Sequence, residues 1–125
     1  MPDLLLVEDD RDVREAIAEV LEQEGYGVMQ ARSGVEAIRC LNDGSAKPAA
    51  ILLDLMMPVM DGWEFMARWQ KNQAWSSIPI VVISADSNAQ ERVEALHLAT
   101  AYMRKPIDID ELLALLARLS QAEVQ

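Results

Sequence analysis

Ala50-Ile51-Leu52-Leu53-Asp54-Leu55-Met56-Met57-Pro58 opens as an unbroken apolar run and then meets a carboxylate. Bounded by Lys47-Pro48 before it and Pro58 after it, so short a run reads as a strand buried on both faces, the kind found inside parallel sheets. Asp54 then stands at a strand's carboxyl end, and ligands of open parallel sheets bind outside that edge. Leu4-Leu5-Leu6-Val7 repeats the pattern and ends in Glu8-Asp9-Asp10. Pro79-Ile80-Val81-Val82-Ile83, rich in β-branched residues, terminates on Ser84, and the brief Ala101-Tyr102-Met103 runs into Arg104-Lys105-Pro106. Gly27-Val28-Met29-Gln30-Ala31 is a weaker fifth strand.

Between these blocks the apolar period lengthens. Val13, Ile17, Val20 and Leu21 fall at helical spacing with Arg14, Glu15, Glu19 and Glu22 on the other face, and Gly25 offers a C-terminal cap. Four further helices open on pairs of capping-box type: Ser33 with Glu36, Asp61 with Glu64, Ser87 with Gln90, and Asp108 with Glu111. The helix begun at Ser87 has only Ala89, Val93 and Leu96 as apolar positions, so it is expected to pack lightly and to move. Gln121 to Gln125 reads as a frayed tail. Five strands alternating with five helices predict an α/β fold, a doubly wound parallel sheet with helices on both faces.

The chain of 125 residues fits a single domain spanning 1–125, with no output domain expected. Its 51% hydrophobic content marks it as globular. A net charge of −10 opposes direct binding to nucleic acid, which relies on Lys and Arg displacing counterions from phosphates. The single Cys40 cannot make an internal disulfide, and Met1-Pro2-Asp3 lacks a signal-peptide pattern, so a cytoplasmic location is expected. No apolar run approaches the roughly 20 residues that cross a bilayer.

Every strand but the second thus ends in a group capable of chemistry: Glu8 and Asp9, Asp54, Ser84 and Lys105. A parallel sheet brings these ends to one edge. Gathered carboxylates raise one another's pKa unless something positive sits among them, and a hard cation answers that need. Magnesium suits a site of few carboxylates, waters and phosphate oxygens, whereas calcium wants more protein ligands. Lys105 would pair with Asp54 at rest and with an added phosphoryl group afterwards, with Ser84 donating to the same group. A carboxylate so placed can act as a nucleophile and form an aspartyl-phosphate.

Glu8-Asp9, the phrase from Asp54 through Pro58 to Asp61-Gly62, Ser84-Ala85 and Tyr102-Met103-Arg104-Lys105-Pro106 together resemble a response-regulator receiver domain along the whole chain. The resemblance implies a flavodoxin-like strand order 2-1-3-4-5. It implies that Asp54 accepts a phosphoryl group from a histidine kinase or histidine phosphotransfer protein, with magnesium held by Glu8, Asp9, Asp54 and the backbone carbonyl of Met56. It further implies a helix-capping role for Asp10, a switch formed by Ser84 and Tyr102, and a cis Lys105-Pro106 bond. The surface around the last helix-strand-helix would carry the signal to a downstream protein. Two departures stand out. Leu98 occupies a place where glycine often precedes Ala99, and Leu115 and Ala122 replace basic residues that many paired receivers carry, so a monomer or weak dimer is expected.

A small aspartyl-phosphate phosphatase or phosphotransferase is the alternative, but that family wants a second acid two residues after the nucleophile, where Met56 stands. A vestigial pocket serving pure interaction does not suit the full set of acids, hydroxyl and amine. A dinucleotide site is disfavoured because acids, and no Gly-x-Gly-x-x-Gly, follow the first strand. His97 stands outside the strand ends, and the Met56, Met57 and Met60 group lies among hard acids, so neither is assigned chemistry. Trp69 shares the stripe of Phe65 and Met66 and is read as core, with Trp63 and Trp75 partly exposed.

Overall fold

The apolar blocks become parallel strands in the computed structural model, which describes residues 3–86, 88–97 and 99–124. In chain order the elements are β1 (Asp3–Val7), α1 (Arg11–Gln23), β2 (Gly27–Ala31), α2 (Gly34–Asn42), β3 (Ala50–Asp54), α3 (Gly62–Lys71), β4 (Ile80–Ser84), α4 (Ala89–Leu96), β5 (Ala101–Arg104) and α5 (Ile109–Val124). All neighbouring strands pair parallel, in the order β2-β1-β3-β4-β5. The expected α/β fold and strand order are both found.

Alternation along the strands divides the core in two. Leu5, Val7, Ile51, Leu53 and Val82 pack with Ala37 and Leu41 of α2, Phe65 and Met66 of α3, and Ala89 and Val93 of α4. Leu4, Leu6, Leu52, Val81 and Ile83 pack with Ile17 and Leu21 of α1 and with Leu112 and Leu116 of α5. Because both faces are covered, β3 and β4 are buried at every position, and that is why their sequences read as continuous apolar runs.

Among the described residues, four helix starts follow the capping chemistry. Side-chain oxygens of Asp10, Ser33, Asp61 and Asp108 accept from the amides of Val13, Glu36, Glu64 and Glu111 at 3.0–3.1 Å. The reciprocal half of the box differs: Glu36 turns to Arg32 and Glu64 to Arg68. At α4, Asn88 makes no side-chain cap bond and the Gln90 side chain donates to Glu94, while the expected pair of Ser87 with Gln90 falls partly outside the described residues. Ser87 and Leu98 lie outside the described residues. At the end of α1, Gly25 sits at φ 98°, with its amide on Glu22 and that of Tyr26 on Leu21, the paired bonds of a Schellman motif.

Two expectations need correcting. Helix α5 continues through Gln121 to Val124, because that stretch contains neither Gly nor Pro to stop it. Trp75 is buried, because the turn after α3 hydrogen-bonds back to Asn72 and carries the indole onto the core beside Trp69. Trp63 is half-buried, with the Arg92 guanidinium 4.3 Å above its ring. Leu115 is half-buried on the α1/α5 side, whereas the side chain of Ala122 lies outside the described residues. Among the described residues no helix is long and apolar enough to cross a membrane.

Candidate functional site

Strand register assembles the site. Val7 stands opposite Leu53, which puts Glu8 level with Asp54; Asp54 stands opposite Ile83, and Ser84 opposite Arg104. The ladder runs one step past the strands, with the Glu8 amide on the Ala31 carbonyl at 3.0 Å and the Lys105 amide on the Ser84 carbonyl at 2.9 Å. Glu8, Asp54 and Ser84 are therefore buried polar groups on one edge, at 3%, 4% and 0% exposure. Asp9, the first residue off the strand, is exposed.

Carboxylate oxygens of Glu8, Asp9 and Asp54 lie within 4.8 Å of one another. These are hard oxygen donors on a shared cleft, a set that could hold a divalent cation. Lys105 brings the resident positive charge, but its main partner is not the expected one. Its ammonium donates to both oxygens of Glu8 at 3.1 Å and stands 3.6 Å from Asp54. The longer side chain of Glu8 reaches the ammonium with two oxygens, and Asp54 is left the weaker share. Burial, then the charge of Asp54, push the Glu8 carboxyl up to about 7, against the pull of Lys105. Burial works to lower the Lys105 ammonium, but its bond to Glu8 and the charge of Asp54 outweigh burial and hold it above the ordinary lysine range.

The loop after β3 folds over the acid. The Met56 amide donates to Asp54 Oδ1 at 3.3 Å, and Met56 itself is 64% exposed. Val59 occupies a γ-turn at φ 68°, its flanks joined by the Met60 amide on the Pro58 carbonyl. Gly62 closes the loop with its amide on the Leu55 carbonyl at 3.0 Å. A Cβ there would lie 2.7 Å from Leu55 Cα and 2.8 Å from the Asp54 carbonyl oxygen, so only glycine lets α3 approach the strand end.

On the other side of the cleft Ser84 Oγ accepts from the Asp86 amide at 3.1 Å, and Tyr102 donates to the Asp86 carbonyl at 2.6 Å. Ser84 and Tyr102 thus meet on one residue that the sequence reading passed over. Asp86 carries no periodicity or cap signal linking it to either, and only the β4–β5 pairing brings them together. Helical spacing puts Arg14 on the face of α1 opposite the apolar positions, yet it is half-buried and donates to the Glu8 carbonyl at 2.9 Å. Its place one turn into the helix, above the end of β1, was the available signal. The Lys105-Pro106 peptide bond is cis. His97 is exposed in a left-handed position at the end of α4, apart from the acids in sequence, and Cys40 is half-buried against the core.

The model of the response regulator receiver domain matches residues 4–117. The response regulator MprA of Mycobacterium avium is 40% identical over 112 residues, covering 89% of this chain and 47% of its own length. The chain spans about half the length of the curated relatives it matches. Among solved structures, the Francisella response regulator 1452 receiver domain superimposes with a TM-score of 0.87 at 27% identity, covering 98% of this chain and 99% of its own. Response regulator TrrA of Thermotoga maritima, in complex with Mg2+ and BeF, gives a TM-score of 0.83 at 28% identity, covering 95% of this chain and 99% of its own. A match of this extent, on a fold whose acids meet at one sheet edge, leaves a single assignment: the chain belongs to the response regulator receiver domain family and is a signalling switch.

Proposed function

We propose that Asp54 is the phosphoacceptor, with Glu8, Asp9 and the backbone carbonyl of Met56 completing a magnesium site around it. The observation that carries this reading is the convergence of three carboxylates within 4.8 Å, one of them buried at the end of the central strand beside an ammonium. In the transfer an Asp54 oxygen attacks phosphorus as the bond from phosphorus to the donor imidazole breaks. With its other ring nitrogen already protonated, the imidazole takes the bonding pair and leaves neutral, and Asp54 becomes an acyl phosphate. Magnesium, when bound, neutralises the phosphoryl oxygens as charge shifts between donor and acceptor. Lys105, 3.6 Å from Asp54, is placed to stabilise the charge of the incoming group. Hydrolysis reverses the state: water attacks phosphorus, and carboxylate and inorganic phosphate separate.

Ser84 and Tyr102 form the readout in this proposal. If Ser84 turns to donate to a phosphoryl oxygen, its bond from the Asp86 amide loosens, and the Tyr102 bond to the Asp86 carbonyl must rearrange with it. The donor is proposed to be a phosphohistidine of a kinase or phosphotransfer protein. An apolar groove of about 620 Å3, lined by Val13, Ile17, Val20, Pro106 and Ile107, opens beside Lys105 and offers such a donor a landing surface. Met56 supplies no acid to serve an external phosphatase reaction, which favours the switch over the enzyme. Incubation with acetyl phosphate and magnesium, followed by intact-mass measurement, tests the reading. One added phosphoryl group is expected on the wild type and none on Asp54→Asn; a folded wild type that gains nothing would refute it.

A further inference from the structure

We infer that Arg14 is a positioning residue for the metal-binding acids, clamping the end of β1 so that Glu8 and Asp9 face Asp54. The guanidinium reaches two elements at once. Its Nη1 donates to the Glu8 carbonyl at 2.9 Å, and its Nε donates to Gln30 Oε1 on β2 at 3.2 Å. The Glu8 amide is already fixed on Ala31 of β2. With Arg14 on its carbonyl, both peptide groups of Glu8 are held, and the turn into Asp9 begins from a fixed direction. Without Arg14 that carbonyl loses its side-chain partner at a part-buried strand end, and the turn can rotate to find another.

A planar, permanently charged fork suits this task, because it bonds two acceptors in fixed directions; an ammonium makes its bonds without that geometry. Arg14 makes no ion pair with the acids themselves, so its reach is to their backbone and not to their charge. The clamp acts as the outer partners of metal ligands do, holding the ligand where the ion needs it.

The inference rests on the magnesium reading above, and calorimetric titration of MgCl2 at fixed pH and ionic strength separates the two. Charge alone predicts that Arg14→Ala binds magnesium more tightly, since a cation near the acids is gone. The clamp predicts the opposite sign, a loss of about tenfold. Gln30→Ala leaves the charge untouched and should weaken binding severalfold, and Arg14→Lys should fall between wild type and Arg14→Ala. A merely structural role would lower the urea midpoint and leave magnesium affinity where it was. Unchanged or tighter binding in a folded Arg14→Ala overturns the clamp. If that variant does not fold, wild-type affinity in both Arg14→Lys and Gln30→Ala overturns it equally. A wild type that takes up no magnesium removes the acid-pocket reading, and the clamp with it.

Discussion

Lys105 and Glu8 set the terms for every cation that enters the cleft. An ammonium 3.1 Å from both Glu8 oxygens already neutralises part of the acid cluster, so magnesium at the proposed site would have to share or displace it. Lys105→Met should therefore bind magnesium two- to tenfold more tightly, by the order of screened interactions at such distances. The same variant should phosphorylate more slowly, since the group that follows the phosphoryl charge is gone; titration calorimetry and a phosphorylation time course check the two halves. Glu8 gives the pH dependence. Its folded value near 7 stands above the ordinary 4.5, so the metal-free fold binds the extra proton between those limits. Stability from this group is complete below 4.5 and is lost as pH rises through about 7. Magnesium displaces the proton, so its affinity should climb up to roughly tenfold per pH unit below about 7 and level above it. Glu8→Gln should flatten the stability slope, read as melting temperature against pH. Asp54, Glu8, Asp9, Ser84 and Lys105 were all legible as strand-end residues, because alternation of apolar runs with polar stops is written in the chain. The Lys105 partner was not, because choosing between Glu8 and Asp54 turns on side-chain reach, which spacing does not encode. Arg14 was misplaced for a related reason: a helical period assigns it to a face, and a long side chain can fold back from that face to the strand end.

At the scale of elements, the segment from Leu55 to Gly62 is where sequence and geometry are most tightly bound. The Asp61-Gly62 pair starts α3 with a capping carboxylate, and Gly62 then brings the helix against Leu55 and the Asp54 carbonyl. Gly62→Ala should destabilise the fold by about 1–3 kcal/mol, the range for overpacking, because the obstructing atoms are mostly backbone and cannot move aside singly. A urea unfolding curve reads the loss, and loosening of the loop should lower magnesium affinity as well. Helix starts were legible where a short acceptor side chain stood before an apolar stripe, as at Ser33, Asp61 and Asp108, while the cap at Asp10 came from the family resemblance. Helix α4 is held less firmly. It has two buried residues, Ala89 and Val93, no cap bond from the Asn88 side chain, and a left-handed end at His97. Its placement rests on tertiary contacts such as the Arg92 stack over Trp63, which links residues far apart in the chain and leaves no local mark.

The whole molecule is a sheet whose two faces are sealed by helices and whose chemistry is confined to one edge. Doubly wound alternation was readable from the sequence because a strand buried on both sides cannot carry polar residues until it ends. The strand order came from the resemblance of four separated motifs to one family, since apolar runs do not say which neighbour they choose. The burial of Trp75 depends on how the turn after α3 folds back onto Asn72, and the meeting of Ser84 and Tyr102 on Asp86 depends on the pairing of β4 and β5. In the proposed reaction phosphorus is held by a single oxygen of Asp54. Borohydride reduction of the protein after treatment with acetyl phosphate and magnesium, followed by peptide mapping, locates that atom most directly. The account predicts that reduction converts residue 54, and no other acid, to homoserine; conversion at Asp9 or at any other carboxylate, with residue 54 intact, would contradict it.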